Sequence, residues 1–179
     1  MKTILLDRDG TLHVDQVRQV DIGKLVLMPG ARDAIRLWND AGWRILVITN
    51  QSGLARGFYT EAQMHAFHRA LAEALGGRID GYYWCPHMPD AGCACRKPGT
   101  ALIERAAREH GFDPKSAFMV GDSHTDMGAG DAVGAQTVLV PHAGRDYDVE
   151  CLAALGRLVR PRHVARDLAD AARWTLEQP

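Results

Sequence analysis

Leu5-Leu6-Asp7-Arg8-Asp9-Gly10-Thr11-Leu12 sets two carboxylates at the end of a short apolar run. That run, Thr3–Leu6, has the composition of a buried parallel strand. Asp7 and Asp9 are two residues apart, so they point to the same side if the strand continues, and Gly10 permits a sharp turn. Two adjacent carboxylates are costly unless a cation compensates them, and Mg²⁺ prefers oxygen ligands. Alone, the motif would also fit a solvated Asp-Gly turn.

Outward from this motif, apolar runs alternate with helical patterns. The other predicted strands are Trp43–Thr49, Ile79–Trp84, Ala117–Val120 and Thr137–Val140. The predicted helices are Ala31–Ala41, Glu61–Leu75, Ala101–His110 and Leu168–Leu176. This alternation predicts an α/β fold, a doubly wound, mostly parallel, Rossmann-like sheet with helices on both faces. Ligands bind such sheets beyond the carboxyl ends of the strands.

Length and composition predict one domain over residues 1–179. The net charge is -1 and 46% of residues are hydrophobic, with acids and bases interspersed, which argues against a nucleic-acid or membrane surface. No apolar run approaches the roughly 20 residues that span a bilayer, and charged residues follow Leu6 too soon for a signal peptide. We therefore expect a cytoplasmic protein. We also expect a monomer, because no long amphipathic seam is left unexplained.

Polar groups recur where the other predicted strands end. They are Thr49 with Asn50, Gln51 and Ser52 after the second strand, Lys97 in the loop before the third helix, and Asp122 and Asp126 after the fourth strand. Hydroxyl and amide groups suit phosphate oxygens, and an ammonium adds positive charge. Each group alone could be a polar turn, a helix cap or a solvated lysine.

The combined order of these groups is Asp-x-Asp-Gly-Thr, Thr, Lys, Gly-Asp-x-x-x-Asp. It resembles the haloacid dehalogenase (HAD) superfamily over residues 3–140. The resemblance implies a Mg²⁺-dependent phosphatase that passes through an aspartyl-phosphate intermediate. It makes Asp7 the nucleophile and a metal ligand, Asp9 the general acid and base with its backbone carbonyl on the metal, and Asp122 the third metal contact.

The resemblance also assigns Thr49 and Lys97 to holding the transferred phosphoryl group. It gives Asp126 an indirect role, such as orienting Lys97 or a metal-bound water. A general acid needs a raised pKa, so we expect one for Asp9 in this acidic site. An acid at this position favours a phosphatase over a dehalogenase, which has no alkoxide leaving group to protonate.

Four metal-ligating side chains fall within eleven residues: Cys85, His87, Cys93 and Cys95. In a reducing cytosol this spacing predicts a closed tetrahedral Zn²⁺ site that orders a loop. The alternative is a loop of free thiols with an incidental histidine. Cys151 is distant and is predicted to be an ordinary buried thiol.

A zinc loop directly before Cys-x-Cys-Arg-Lys-Pro resembles one HAD branch without a large cap domain. That branch contains the heptose 1,7-bisphosphate 7-phosphatases, which we favour, and the histidinol-phosphate phosphatases. It implies a small sugar phosphate as the partner and substrate contacts from Asp15, Arg18, Asn50, Gln51, Ser52 and Arg96. The heptose enzymes typically carry Gly-Tyr-Val where this chain has Val17-Arg18-Gln19, which leaves the sugar open.

Two readings from other functional classes compete with an enzyme. A phospho-accepting signalling domain also uses strand-end aspartates and a lysine, but the Asp7-x-Asp9 pair and the zinc loop argue against it. A zinc-stabilised binding module with an inactive site conflicts with the complete set of acidic and basic groups. The pattern over Gly144–Val164 predicts no particular structure.

Overall fold

A computed structural model describes residues 1–17, 20–142 and 146–179. Its six-stranded sheet is parallel throughout and has the order β3-β2-β1-β4-β5-β6. The strands are β1 Thr3–Leu6, β2 Arg44–Asn50, β3 Gly81–Cys85, β4 Phe118–Gly121, β5 Gln136–Leu139 and β6 His163–Val164. The helices are α1 Ala31–Asp40, α2 Glu61–Leu75, α3 Ala101–His110, α4 His124–Val133, α5 Tyr147–Leu155 and α6 Leu168–Glu177.

The sheet separates two hydrophobic cores because alternate strand residues face opposite sides. Ile4 and Leu6 of β1 belong to one core, which also contains the apolar faces of α1, α2 and α6. Leu5 belongs to the other core with residues of α3 and α4. The fully apolar sequence of β1 follows from this burial on both faces.

The direction of winding reverses between β1 and β4. Successive crossovers place β2 and β3 on one side of β1, whereas β4, β5 and β6 lie on the other. The residues that follow β1 and β4 therefore meet in a crevice at the carboxyl edge of the sheet. Asp7 lies there, and its backbone N–H donates to the carbonyl of Val120 at 3.0 Å.

The predicted fold class is confirmed, and no large cap domain is inserted among the described residues. The bounds of β1, α2 and α3 are as predicted, and the other predicted elements shift by one or two residues. Three elements were not predicted: α4, α5 and β6. No helix in the described part of the chain is long and apolar enough to cross a membrane.

Two glycines explain why the sequence did not predict α4. Gly128 and Gly130 lie inside the helix and lower its intrinsic propensity. A Cβ at Gly130 would lie 2.7 Å from Thr137 and 2.8 Å from Met119, so only glycine allows the helix to approach the sheet this closely. Tertiary packing therefore overrides local propensity at this helix.

Candidate active site

A buried ammonium lies at the centre of the crevice. Lys97 Nζ is 2.6 Å from Asp7 Oδ1, 2.6 Å from Asp126 Oδ1 and 2.6 Å from the carbonyl oxygen of Ile48. The ammonium donates hydrogen bonds to Asp7 and to Ile48, and it forms an ion pair with Asp126. Lys97 is thereby fixed between the residues that follow β1 and those that begin α4.

The first turn of α4 holds Asp126 in place. Its second carboxylate oxygen accepts from the backbone N–H and the hydroxyl of Ser123, at 3.1 and 2.6 Å, in a capping box. A Cβ at Gly121 would lie 2.4 Å from Asp126, so this position requires glycine. The carboxylate thus caps a helix and orients Lys97, which is one of the roles expected for it.

Gly10 is required on the opposite side of the crevice. Its φ is +80°, and a Cβ there would lie 2.5 Å from Asp122 Oδ2. The turn after the first strand therefore has the positive φ that favours glycine. It also leaves space for the side chain of Asp122.

The residues present fit a hard divalent cation. Asp7, Asp122 and Asp126 each offer an oxygen within 4.8 Å of the others, and carboxylate oxygens are the ligands that Mg²⁺ prefers. Burial raises the pKa of Asp7 well above its ordinary value, Lys97 only partly offsets this, and Asp126 and Asp122 raise it further. One ammonium does not balance three carboxylates, so a cation would stabilise the cluster. The side chain of Asp9 lies outside this set.

The Asp9 carboxylate lies instead among hydrogen-bond donors. Arg8 donates to both of its oxygens, at 2.8 and 3.2 Å. Gln51 Nε2 is 2.6 Å from Oδ2, and His13 Nε2 is 3.2 Å from Oδ1. The Thr49 hydroxyl donates more weakly at 3.3 Å.

These partners overturn the expected pKa of Asp9. Burial alone would raise the pKa, but the Arg8 guanidinium and the His13 ring outweigh it and hold the pKa well below that of an ordinary carboxyl. The sequence argument counted the acidic neighbours of Asp9 and overlooked the adjacent arginine. In this state of the site Asp9 is an ionised carboxylate.

Gln51 has no polar atom left for a ligand. Its Nε2 donates to Asp9 and to the Thr49 hydroxyl, and its Oε1 accepts from Arg8 at 2.7 Å and from the Tyr59 hydroxyl at 2.5 Å. The side chain was predicted to contact substrate and does line the crevice. These contacts fix the positions of Asp9, Arg8 and Thr49 relative to one another.

Asn50 contacts the backbone of Lys97. Its Oδ1 accepts from the Lys97 N–H at 3.0 Å, and its Nδ2 donates to the Lys97 carbonyl at 3.2 Å. This reciprocal pair joins the end of β2 to the loop that carries Lys97. The amide therefore fixes the starting point of the lysine side chain.

A pocket of about 190 Å³ opens beside Asp9. Asp15, Asn50, Gln51, Ser52 and Arg96, all predicted to bind substrate, contribute to its lining. Nη1 of Arg96 is buried and has no hydrogen-bond partner among the described residues. A ligand oxygen would satisfy this donor. The prediction for Arg18 lies outside the described residues.

The four predicted zinc ligands converge. Their five measured separations, between sulfurs and from His87 Nδ1 to sulfurs, range from 3.2 to 3.6 Å. Zn–S bonds of about 2.3 Å at tetrahedral angles would separate sulfurs by roughly 3.8 Å. All three cysteines are free thiols. The donor set and its spacing fit a closed tetrahedral Zn²⁺ site.

This cluster is closer to the core than the sequence suggested. Cys85 is the last residue of β3 and is fully buried, and Cys93 and Cys95 pack against the second core. The predicted strand ended at Trp84, so β3 extends one residue further and includes Cys85. Cys151 is buried, as expected, and accepts from the backbone N–H of Val159 at 3.2 Å.

Sequence reasoning missed the groups that surround Asp9: Arg8, His13, Tyr59 and His68. One signal was available, since His68 continues the apolar stripe of Met64, Leu71 and Leu75 on α2. A polar residue on a buried helix face requires a partner. For His68 that partner is Arg8, at 3.1 Å.

Comparison with known families gives matches along most of the chain. A model described as haloacid dehalogenase-like hydrolase matches residues 7–131. A second, HAD-hydrolase-like model matches residues 94–171. The first match includes every residue of the crevice described above.

Individual relatives agree with the family models. A D-glycero-β-D-manno-heptose-1,7-bisphosphate 7-phosphatase from Bordetella bronchiseptica is 38% identical over 185 aligned positions, 99% of each chain. The protein of that name from Pseudomonas putida is 42% identical over 144 residues, 78% of this chain and 82% of that protein. The crystal structure of the D,D-heptose 1,7-bisphosphate phosphatase from B. bronchiseptica, complexed with magnesium and phosphate, superposes with a TM-score of 0.85, 35% identity and full coverage of both chains.

Proposed function

Because the chain belongs to the haloacid dehalogenase-like hydrolases, we propose that it is a Mg²⁺-dependent phosphomonoesterase that removes the 7-phosphate of D-glycero-D-manno-heptose 1,7-bisphosphate. The observation that carries the proposal is the buried Lys97 between Asp7 and Asp126 at the switch point of the sheet. The relatives that match nearly the whole chain bear the name of this activity.

Asp7 is the proposed nucleophile. Its carboxylate attacks the phosphorus of the substrate, forms an aspartyl phosphate and releases the sugar alcohol. Lys97 neutralises charge on the transferred phosphoryl group, and its contacts to Asp7 and Asp126 hold it in position before substrate arrives. Asp7 is buried, which limits the access of water to the attacking oxygen.

Asp9 is the proposed general acid and base. It protonates the leaving sugar oxygen and later removes a proton from the water that hydrolyses the aspartyl phosphate. The ionised state of the ligand-free site suits the second step. For the first step, a phosphate dianion entering beside Asp9 raises its pKa through like-charge repulsion.

Asp7 and Asp122, with the backbone carbonyl of Asp9, are the proposed ligands of Mg²⁺. Asp126 lies within reach of the same ion but is occupied by Lys97 and Ser123. When bound, Mg²⁺ would supply charge neutralisation that lets an anionic nucleophile approach an anionic phosphate. The protein's part is to fix these oxygens around one point.

The pocket beside Asp9 supports a polar substrate larger than a simple phosphate ester. Arg96 contributes a buried N–H donor that has no partner in the described part of the chain, and Asp15 and Ser52 add acceptors suited to sugar hydroxyls. We propose that this pocket holds the heptose. Arg18 is proposed to contact its second phosphate.

We propose that the cluster of Cys85, His87, Cys93 and Cys95 binds one structural Zn²⁺ per chain. Four ligands leave no position open for a substrate. Arg96 and Lys97 directly follow Cys95, so fixing that sulfur also fixes where both cationic side chains begin. The zinc loop thereby contributes to function without taking part in the chemistry.

Steady-state kinetics with Mg²⁺ test the proposed activity on a substrate panel. We expect the highest kcat/KM for heptose 1,7-bisphosphate and slower turnover of heptose 7-phosphate, histidinol phosphate and p-nitrophenyl phosphate. Phosphate release should require Mg²⁺ and stop when it is chelated. Preference for histidinol phosphate would reassign the substrate within the same chemistry. Absence of turnover of every ester would overturn the phosphatase assignment.

A further inference from the structure

His68 is a buried histidine that the proposed chemistry does not use. It lies on α2, where the residues around it on the same face, Met64, Phe67 and Leu71, are wholly buried and apolar. Its own side chain is 3% exposed. A histidine in such a place needs partners for its ring nitrogens.

The partner of His68 determines the state of its ring. Arg8 Nη1 lies 3.1 Å from His68 Nε2. A guanidinium only donates hydrogen bonds, so Nε2 must be the acceptor and the ring is neutral with its proton on Nδ1. Burial and the charge of Arg8 lower the pKa of His68 to about 3, consistent with a neutral ring.

A stacked aromatic ring also restricts the orientation of the His68 ring. The His68 ring stacks on Tyr82, with 4.2 Å between ring centroids and an angle of 9°. The Tyr82 hydroxyl donates to the backbone carbonyl of His68 at 3.3 Å. His68 therefore presents its acceptor nitrogen to Arg8 from a fixed position.

Arg8 also contacts Asp9, the proposed acid and base, so the position of Arg8 affects that carboxylate. Its other N–H groups donate to both oxygens of Asp9 and to Gln51, which itself donates to Asp9. The guanidinium lies over the ring of Phe67, 5.2 Å from its centroid. Of the described hydrogen-bond partners of the guanidinium, Asp9 and Gln51 line the pocket of the crevice, whereas His68 does not.

We propose that His68 is a positioning residue, which orients Arg8 through Nε2 and thereby holds the Asp9 carboxylate where the leaving oxygen of the substrate needs a proton. The inference rests on the proposed function, because it assigns no new reaction. A positioning role differs from a purely structural role in the core, because it predicts a kinetic defect only in the steps that use Asp9.

The dependence of the kinetic defect on the leaving group distinguishes a positioning role for His68 from a packing role. A sugar alkoxide needs a proton to depart, whereas p-nitrophenolate departs without one. The value of kcat/KM reports the steps up to formation of the aspartyl phosphate. We therefore expect His68→Leu to lower kcat/KM about tenfold on the preferred sugar phosphate and less than about twofold on p-nitrophenyl phosphate, a fraction of the full contribution of a general acid.

Two variants control this experiment. Glutamine places a side-chain amide near the position of Nε2, so His68→Gln should restore most of the sugar phosphate activity. His110→Leu changes a half-buried histidine at the end of α3, whose ring contacts Tyr83, and should leave both substrates unaffected. Thermal unfolding of each variant accompanies the kinetics. If His68→Leu does not fold, His68→Phe, which keeps a flat ring against Tyr82, replaces it.

An equal loss on the two substrates, or equal activity of His68→Gln and His68→Leu, would overturn the inference and leave only a packing role. Either result leaves the proposed function intact, because the unmodified protein still turns over the sugar phosphate. Failure of the proposed function would instead appear as no turnover by the unmodified protein.

Discussion

Asp7 and Asp9 are identical side chains two residues apart, yet they lie in opposite electrostatic surroundings. Asp7 shares a buried cluster with two other carboxylates and one ammonium, and its pKa is raised. Asp9 accepts hydrogen bonds from a guanidinium, an amide and a hydroxyl, with His13 also alongside, and its pKa is lowered. The side chain alone does not determine the chemistry of a carboxylate at this strand end. The neighbours supplied by the loop after β1, the end of β2, the loop before α3 and the start of α4 do.

This difference assigns distinct tasks to the two residues. The Asp7 cluster has an excess of negative charge that a divalent cation compensates, so it suits metal binding and attack on phosphorus. The Asp9 cluster is already balanced by Arg8, so it suits proton transfer without a metal contact from its side chain. Variants that alter one cluster and leave the other intact test the assignment.

The largest effect is expected from Asp7→Asn. Loss of the nucleophile should lower kcat by about 10⁴-fold or more. The same change removes a buried charge, so the protein without metal should unfold at a higher temperature than the unmodified protein. Residual activity within about tenfold of the original would remove Asp7 from the role of nucleophile.

The difference in free energy of unfolding between Asp7→Asn and the unmodified protein should depend on pH. A carboxyl with a raised pKa contributes stability that is present below its unfolded pKa of about 3.9 and is lost as pH rises through the folded pKa. Without metal, the advantage of Asp7→Asn in free energy of unfolding should therefore grow as pH rises above about 4. An advantage that shrinks over this range would contradict the raised pKa.

The next largest effect is expected from Lys97→Ala. It leaves Asp7 and Asp126 without their shared cation, and kcat should fall by roughly 10² to 10³ on every substrate.

Arg96→Ala is the matched comparison, since it changes the adjacent cation at the sugar pocket. We expect it to raise KM about tenfold on the preferred sugar phosphate and to have little effect on p-nitrophenyl phosphate. Equal losses on both substrates would exclude Arg96 as a specificity residue.

A smaller loss of activity is expected from changing the proposed zinc cluster, whose residues are not among the described contacts of Asp7 or Asp9. Metal analysis of protein purified without chelator should find about one Zn²⁺ per chain. Cys95→Ser should lower the zinc content and reduce kcat/KM about tenfold by loosening Arg96 and Lys97. Because Cys85 ends β3, we expect a measurable loss of thermal stability as well. Cys151→Ser, which changes a distant buried thiol, should keep its zinc.

At His68 the effect on activity is confined to the sugar phosphate, and stability at acid pH is the clearer signal. A histidine with a lowered pKa contributes stability that is fully present above the unfolded pKa of about 6.5 and is lost as pH falls toward the folded value of about 3. The groups facing the ring are Arg8, His65 and Tyr82. The unmodified protein should lose up to roughly 1.4 kcal/mol per pH unit more than His68→Gln across this range.

The sequence predicted the parts of the molecule where local pattern and global fold agree. β1, α2 and α3 have apolar periodicity and, in α2, a capping box, and their bounds match. The convergence of Cys85, His87, Cys93 and Cys95 was predictable because four such residues within eleven positions are uncommon. The strand-end acids were predictable because parallel strands deliver their carboxyl ends to one edge.

The parts that the sequence did not predict depend on contacts between distant segments. α4 contains two glycines that weaken a helix, and Gly130 is required by the closeness of the helix to β4 and β5. The hydrogen bond from Gln51 to Asp9 forms only on folding, whereas the lowered pKa of Asp9 depends on Arg8 and His13, which are near it in sequence. α5 and β6 lie in a stretch whose pattern favours no structure.

The most direct test of the division between Asp7 and Asp9 is to locate the phosphoryl group on the enzyme. In Asp9→Asn, p-nitrophenyl phosphate should still phosphorylate the protein because its leaving group needs no acid, whereas hydrolysis of the intermediate should be slow without the base. Rapid quenching, borohydride reduction and peptide mass spectrometry should then find about one modified residue per chain at Asp7, accompanied by a burst of p-nitrophenol. Modification at another residue, or a burst with no covalent adduct, would contradict the account.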